Sequence, residues 1–424
     1  MEHWLAQAVA RCPQHEAVDG LSYGELLDRA SAAAGALLAL GVRRGERVAI
    51  ALEPGVQFVA ALHGCFLAGA VAVPIDLRLR RSERAARIAG AAVVVDQPLD
   101  GGACDSHEPL EFDRTATVMH TSGTTAAPRA VELSFGNWLA AALGSAVALG
   151  LDPRERWLCP MPLTHVGGLS IVLRSAIYGT SVALHGRFDT DAVLATLMDP
   201  AERITLVSLV PTMLARLLDA GLREPPALRF ALLGGGPIPP SLLARAHSAG
   251  VPVAPTYGMT EACSQIATNG WPLPGVELSL AADGEVLVRG PTVAAGSLAA
   301  DGWLHTGDLG AFDRRGALTI VGRQADTIVT GGENVAPVEV EAVLLEHPAV
   351  ADAGVFPRAD PEWGEAVVAS VVLHDHATVE PDELRSFCAR RLASFKVPKQ
   401  VRLVERLPRS ENGKLLRREL RWDV

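Results

Sequence analysis

Residues 121 to 129, Thr121-Ser122-Gly123-Thr124-Thr125-Ala126-Ala127-Pro128-Arg129, pack hydroxyls, backbone N–H donors and a fixed cation into one short loop behind an apolar run, Ala116 to His120. A polyphosphate needs such a cradle, because clustered negative charge is best met by many oriented donors at once. The Walker spacing G-x-x-x-x-G-K-[ST] is absent. Alone, the segment reads equally well as a polar turn. Four further segments follow in order. Tyr257-Gly258-Met259-Thr260-Glu261 sets an aromatic face, a hydroxyl and a carboxylate side by side. Trp303-Leu304-His305-Thr306-Gly307-Asp308-Leu309-Gly310 offers a carboxylate in a tight turn. Gly322-Arg323-Gln324-Ala325-Asp326 leads on to Gly331-Gly332-Glu333-Asn334-Val335, and Pro408 to Arg417 carries Gly413-Lys414. Taken singly, Glu261 reads as a first-turn helix carboxylate favoured by the macrodipole, Asp308 as a turn residue and Lys414 as a solvated lysine.

In this order and spacing the five segments resemble the core motifs of the adenylate-forming superfamily: acyl-CoA synthetases, peptide-synthetase adenylation domains and beetle luciferases. The resemblance spans nearly the whole chain. It implies a reaction in two steps. A carboxylate attacks the α-phosphate of ATP, magnesium pyrophosphate leaves and an acyl-AMP remains; a thiol, that of CoA, then displaces AMP. Charge moves on phosphoryl oxygens, so catalysis rests on positioning and electrostatics. The resemblance gives Thr121, Ser122, Gly123, Thr124, Thr125 and Arg129 to the β- and γ-phosphates. It sets Tyr257 against adenine, with Thr256, Gly258, Met259 and the turn Gly234-Gly235-Gly236-Pro237 around it. Thr260 is implied to contact the α-phosphate, Glu261 the magnesium ion, and Asp308 the ribose hydroxyls with Arg323 nearby. Lys414 is implied to bridge the substrate carboxylate and the α-phosphate, where a compact cation neutralises developing charge. An N-terminal adenylation domain, 1–323, and a small mobile C-terminal lid, 324–424, are also implied. The lid turns about the second residue after Arg323, here Ala325. That turn withdraws Lys414 and brings Gly331-Gly332-Glu333 to a thiol tunnel, where glycine lets the backbone approach a pantetheine chain.

This chain departs from the superfamily pattern in the phosphate loop, where Thr-Gly-x-Pro-Lys-Gly becomes Thr125-Ala126-Ala127-Pro128-Arg129-Ala130. Alanine resists positive φ, so the loop is expected to be stiffer. Arginine keeps the charge and adds a planar fork suited to phosphate. ATP binding is expected to survive. In combination, Pro160 to Ser170, Arg174 to Gly179, Leu232 to Pro237 and Thr256 to Ile266 are most similar to the o-succinylbenzoate–CoA ligases of menaquinone synthesis. Their substrate carries one carboxylate that reacts and a second, aromatic one that must not. A pocket for the second needs a buried cation or several donors. Ser170, Arg174, Ser264 and Gln265, beside Gly258, are the candidates. His165 is implied to lie near the reacting carboxylate and the pyrophosphate exit. Arg174 reads equally as a surface arginine on a helix, and His165 as a core histidine.

These residues need a scaffold. Tyr23 to Leu40 has apolar residues at helical spacing, with Ser22 as N-cap and Gly41 as stop. Arg47 to Leu52 reads as a strand, Val56 to Ala68 as a helix, Ala70 to Ile75 and Val93 to Val95 as strands. Ser181 to Leu184, a helix from Asp191, Leu206 to Leu209, a helix from Pro211, and Phe230 to Leu233 repeat the alternation. It implies an α/β fold with parallel sheets covered on both faces. After about residue 275 short strands (Glu277 to Leu280, Glu285 to Arg289, Leu318 to Val321) suggest a small β subdomain. Beyond residue 324, helices at Pro337 to Glu346 and Glu380 to Leu392, with strands Ala351 to Phe356 and Ala366 to Leu373, suggest a small α+β domain.

A chain of 424 residues, 49% hydrophobic and 20% charged, suits a large domain plus a smaller one. Its net charge of −10 argues against nucleic acid or an anionic membrane as the main partner. Val56 to Ile75 is apolar over a membrane-spanning length, but Gln57, His63, Gly64, Gly69 and Pro74 make a helix, turn and strand the better reading. The six cysteines form no Cys-x-x-Cys pair and read as reduced thiols, and Met1-Glu2-His3-Trp4 lacks a signal pattern, so a cytoplasmic protein is expected. A homodimer is expected on the family's habit alone. Two other readings fit the residues: a synthetase for another aryl, short- or medium-chain acid, and a non-catalytic nucleotide-binding protein, suggested by Ala126 and Ala130.

Overall fold

In the computed structural model, which describes residues 2–104, 109–121, 129–409 and 415–420, the alternating texture becomes two sheets in a large N-terminal unit. The five-stranded sheet runs in the order Val93–Val95, Arg47–Ile50, Val71–Pro74, Thr115–Thr121, Arg129–Ser134. All neighbours are parallel except the last pair, which is antiparallel. The nine-stranded sheet has a parallel centre, Val253–Met259, Phe230–Leu233, Leu206–Leu209, Arg156–Cys159 and Ser181–Leu184, with antiparallel Ser264–Thr268 and Trp271–Pro272 at one edge. Strands such as Val71–Pro74 and Leu206–Leu209 are buried at every position. That is why they read as unbroken apolar runs: helices cover both faces of a parallel sheet.

Local signals set the element ends. The first long helix is Tyr23–Ala39. Ser22 Oγ accepts from the Glu25 N–H while the Glu25 carboxylate accepts from the Ser22 N–H, so two orphan donors of the first turn are satisfied reciprocally. The apolar stretch from Val56 is a helix, Val56–Leu67, then a turn through Gly69 and the buried strand Val71–Pro74. Among the described residues no helix is long and apolar enough to cross a membrane. None of the six cysteines is bonded to another.

A four-stranded antiparallel sheet follows, Glu277–Leu280, Glu285–Arg289, Leu304–Phe312 and Leu318–Arg323. The C-terminal unit has its own sheet, in which Val350–Asp360 and Gly364–Leu373 form a long hairpin and Gln400–Leu403 pairs parallel to the latter. Its helices, Pro337–Leu344 and Pro381–Ala389, each stop short of the expected end and pack Val340, Leu344, Leu384 and Cys388 against Val355, Val367 and Ala369.

Candidate active site

Parallel strands leave their carboxyl ends on one side of a sheet, and ligands of open α/β sheets bind there. Three neighbouring segments obey the rule. Arg156–Cys159 runs out into Pro160 to His165, Phe230–Leu233 into the turn Gly234-Gly235-Gly236-Pro237, and Val253–Met259 into Thr260-Glu261. Gly258 lies where the pairing between Val253–Met259 and Ser264–Thr268 shifts register. A Cβ there would fall 1.7 Å from the Ser264 carbonyl oxygen, so no other residue fits.

The side that the motifs imply for the nucleotide is densely bonded. Tyr257 Oη donates to Asp308 Oδ2 at 2.9 Å, and Arg323 Nε donates to Asp308 Oδ1 at 2.7 Å. Asp308 and Arg323 are register partners across adjacent strands, which fixes the second contact. The Asp308 N–H is accepted by Thr306 Oγ1 at 3.1 Å, and that hydroxyl donates to the Val286 carbonyl at 2.7 Å. Asp308 is buried, at 4% exposure. Burial, then the Asp308 charge, pushes the Tyr257 phenol far above its usual range, so it stays a donor. Glu261 lies in the short turn Thr260–Ala262, whose position is held by the Ala294 N–H donating to the Glu261 carbonyl at 2.8 Å.

Thr121 and Arg129 are register partners at the ends of an antiparallel pair, with a long 3.4 Å contact from Thr121 Oγ1 to the Arg129 carbonyl. Both mouths of the proposed phosphate loop are therefore pinned to the five-stranded sheet. Ser122, Gly123, Thr124 and Thr125 of that loop, and Lys414, lie outside the described residues.

On the acyl side, His165 is the N-cap of the helix Val166–Tyr178. Burial holds its imidazole below the usual range, against the opposing pull of Asp76. Burial alone would raise the Asp76 carboxyl, but the hydrogen bonds from Arg78, at 2.7 to 3.0 Å, outweigh it and leave the group below the usual carboxylate range. Ser170 is buried and donates to the Gly167 carbonyl at 2.8 Å. Arg174 is in the interior, 2% exposed, so the surface reading is set aside. Its guanidinium lies 5.8 Å from the Trp157 ring centre, and Nε and Nη2 have no hydrogen-bond partner. Tyr178 and Cys263 are its electrostatic neighbours. Gln265 is equally buried; Nε2 donates to Thr268 Oγ1 at 3.0 Å, and Oε1 is unpartnered. Ser264 has φ +87, a conformation rare outside glycine, and this turns the strand back beside Gly258.

The C-terminal candidates lie apart from these. Gly331 and Gly332 form the turn between Ile328–Thr330 and Glu333–Val335. Ala325 is in the short turn Gln324–Asp326, directly after the strand that ends at Arg323. Arg417 ties the neighbouring pieces together: Nη1 to Asp326 Oδ2 at 3.0 Å, Nη2 to Glu341 Oε1 at 2.6 Å and Nε to the Val355 carbonyl at 2.8 Å. A cleft of about 340 Å³, lined by Asp76, Arg78, Thr164, Arg187, Arg216 and Arg409 among others, brings a C-terminal residue against the N-terminal unit. Sequence reasoning missed it. Its four arginines come from four separate stretches of chain, and none of them carried a signal of its own in the sequence.

The chain matches the AMP-binding enzyme family over residues 5–99 and 91–298, and that family's C-terminal domain over 339–414. It is similar to the 2-succinylbenzoate–CoA ligase of Bacillus licheniformis, with 39% identity over 99% of this chain and 100% of the relative. The Bacillus subtilis ligase of that name is 37% identical, over 99% of this chain and 97% of the relative. Among solved structures, the o-succinylbenzoate CoA synthetase of Bacillus subtilis in complex with the acyl-adenylate intermediate OSB-AMP superimposes with a TM-score of 0.91 at 36% identity, covering 100% of this chain and 99% of that one. ATP-bound MatB from Rhodopseudomonas palustris superimposes with a TM-score of 0.89 at 27% identity, over 99% and 98%.

Proposed function

This chain belongs to the AMP-binding enzyme family, and from that premise we propose that it joins o-succinylbenzoate to CoA at the expense of ATP. The succinyl carboxylate oxygen attacks the α-phosphorus, and the bond to the bridging oxygen breaks with loss of pyrophosphate. The CoA sulfur then attacks the acyl carbon and AMP leaves with the bonding electrons.

Arg174 is the observation that carries the substrate. A guanidinium does not give up its proton in a protein, so burial leaves it charged. A buried charge with unpartnered N–H groups costs several kcal/mol, on the order of the penalty for any uncompensated ion in the interior. A substrate with one carboxylate spends its only anion at the α-phosphate. A second, aromatic carboxylate has the charge and the planar pair of acceptors that Arg174 lacks. The names of the similar ligases and the adenylate held by one of them support the same acid.

The remaining assignments follow the motifs. Thr121, Arg129 and the loop between them take the β- and γ-phosphates, with Tyr257 and the Gly234 to Pro237 turn at adenine and Asp308 with Arg323 at the ribose. Thr260 takes the α-phosphate, and Lys414 reaches it from the C-terminal unit, residues 324–424, which turns at Ala325 to exchange Lys414 for Gly331-Gly332-Glu333 and CoA. Magnesium suits Glu261, because that ion keeps several waters and needs only one or two carboxylates beside substrate phosphate; when bound it screens phosphate charge. The test is pyrophosphate release with ATP, magnesium and CoA. Release with o-succinylbenzoate but not with benzoate or medium-chain fatty acids, lost in Lys414→Ala, is the expected result. Release with another acid keeps the chemistry and removes this substrate. ATP binding without release for any acid removes the enzyme reading.

A further inference from the structure

We propose that His305 and Glu285 are positioning residues for the nucleotide: an imidazolium clamped between Glu285 and Asp301 keeps the Glu285 carboxylate on the Gly307 N–H and so fixes the irregularity in the strand Leu304–Phe312 that presents Asp308. The inference rests on Asp308 being the ribose ligand.

Each link is a direct contact in the structure. His305 Nδ1 lies 2.8 Å from Glu285 Oε2, and Nε2 lies 3.0 Å from Asp301 Oδ2. A neutral imidazole has one N–H and donates once; two carboxylates at its two nitrogens require the doubly protonated ring. The other Glu285 oxygen, Oε1, accepts the Gly307 N–H at 2.8 Å. Gly307 has φ +68, in the left-handed region, and immediately precedes Asp308. The carboxylate therefore stabilises an irregularity within the strand Leu304–Phe312, where the sequence suggested a tight turn, and the next residue carries the ribose-binding group. Glu285 is itself fixed: it is 8% exposed, and Asp283 Oδ1 accepts its N–H at 3.1 Å. Without the imidazolium, a nearly buried carboxylate would lose one of its two side-chain partners, and its hold on Gly307 would loosen.

The other charges around the clamp are already engaged. Asp283 Oδ2 accepts from Gln324 Nε2 at 2.6 Å, Arg289 pairs with Glu277 and stands 4.5 Å over the Trp303 ring, and Arg323 is held by Asp308. His305 is the member whose charge a rise in pH removes. Hydrogen bonds to Asp301 and then to Glu285 raise its pKa above the ordinary imidazole value. The sign follows: the clamp is closed while the ring holds its second proton and opens as pH rises through that raised value.

The experiment measures KM for ATP, KM for the acid and kcat from about pH 6 to about pH 10 in wild type, His305→Gln, His305→Lys, Glu285→Gln and Asp308→Asn. The expected wild-type result is an alkaline rise in the KM for ATP with kcat and the KM for the acid unchanged. His305→Gln should carry the high value, about fivefold, at every pH, as expected for one lost hydrogen bond. His305→Lys, which keeps a cation, should remove the rise until lysine itself titrates. Identical profiles for wild type, His305→Gln and Glu285→Gln overturn the inference. If Asp308→Asn also leaves the KM for ATP untouched, the ribose assignment itself has failed; if Asp308→Asn raises it while the others do not, only the clamp has. His305 is a partly exposed side chain, so His305→Gln keeps the test available where Glu285→Gln does not fold.

Discussion

Around Asp308 the polar groups find each other: the carboxylate holds Tyr257 and Arg323, and its own N–H rests on Thr306. Around Arg174 they do not, and Nε, Nη2 and the Gln265 Oε1 atom are buried without partners. The first region is organised before any ligand arrives, which is what an electrostatic catalyst needs, since little reorganisation is left to do during reaction. The second leaves groups that, on the function proposed above, the substrate would satisfy. Unpartnered buried donors are costly to the free protein, and that cost becomes discrimination once a ligand supplies the acceptor.

Breaking the organised region should have the largest effect. Asp308→Ala removes a buried anion from between a phenol and a guanidinium and leaves both unpaired. Loss of one partner of a fully buried pair costs about 3–5 kcal/mol, and less here because the Arg323 side chain is partly exposed and turns to water. The expected outcome is a fall of roughly two orders of magnitude in kcat/KM for ATP, with lower thermal stability. Arg174→Met sharpens the contrast. It should lower kcat/KM for o-succinylbenzoate about a hundredfold, the value of a charge-assisted pair, without lowering any residual rate with benzoate. Yet the folded protein should be as stable or gain about 1–3 kcal/mol in urea unfolding, because an uncompensated ion has been replaced by a thioether of similar volume. If Arg174→Met is strongly destabilising, the guanidinium is structural and the contrast between the two regions fails.

His63 tests whether every unpartnered buried group awaits a ligand. Both ring nitrogens are without hydrogen bonds, and the ring sits edge-on to His3 and Phe66. Unlike arginine, histidine can shed its charge, and burial pushes its pKa down to about 4. The folded state then binds fewer protons than the unfolded one between that value and the ordinary one. Its contribution is fully present above about pH 6.5, is lost as pH falls towards about 4, and amounts to about 3 kcal/mol. His63→Leu should flatten that part of the pH–stability curve relative to wild type and leave acyl specificity alone. A specificity change would place His63 with Arg174 instead.

What could be read beforehand was what is local. Unbroken apolar strands announce burial on both faces, Ser22 and Glu25 announce their own cap, and the motif segments are contiguous, so the carboxyl-end rule brings their residues together. The helix Phe135–Leu149 escaped because it has no clean polar face: Leu143 and Val147 are exposed in an otherwise apolar run. The short helix Arg81–Ile88 escaped for the opposite reason, having no buried residue at all. Arg174 was ambiguous because a single arginine among Leu173, Ser175 and Ala176 has the same pattern whether its face meets water or a pocket. Only the packing of Trp157 and Cys263 beside it decides. The cleft with Arg409 joins residues distant in sequence, and the His305 clamp reaches across a strand pair to Glu285, so no local periodicity encodes either.

The smallest expected effect lies within the organised region. Tyr257→Phe deletes one donor and keeps the ring, so the proposed stacking on adenine survives. Asp308 keeps Arg323, and no buried charge is left alone. One hydrogen bond to a carboxylate is worth about 1.5–3 kcal/mol when its loss leaves the acceptor unsatisfied, and less when another donor or water takes over. Asp308 retains that second donor, so the KM for ATP should rise only about fivefold, with kcat little changed. The same assay on Tyr257→Ala removes the ring as well and should cost clearly more. Equal effects of the two substitutions would mean that the hydroxyl, not the ring, is what the nucleotide side needs from Tyr257. An effect of Tyr257→Phe as large as that of Asp308→Ala would mean that the three groups act as one unit, and that the organised region is a single coupled network instead of a carboxylate with two independent supports.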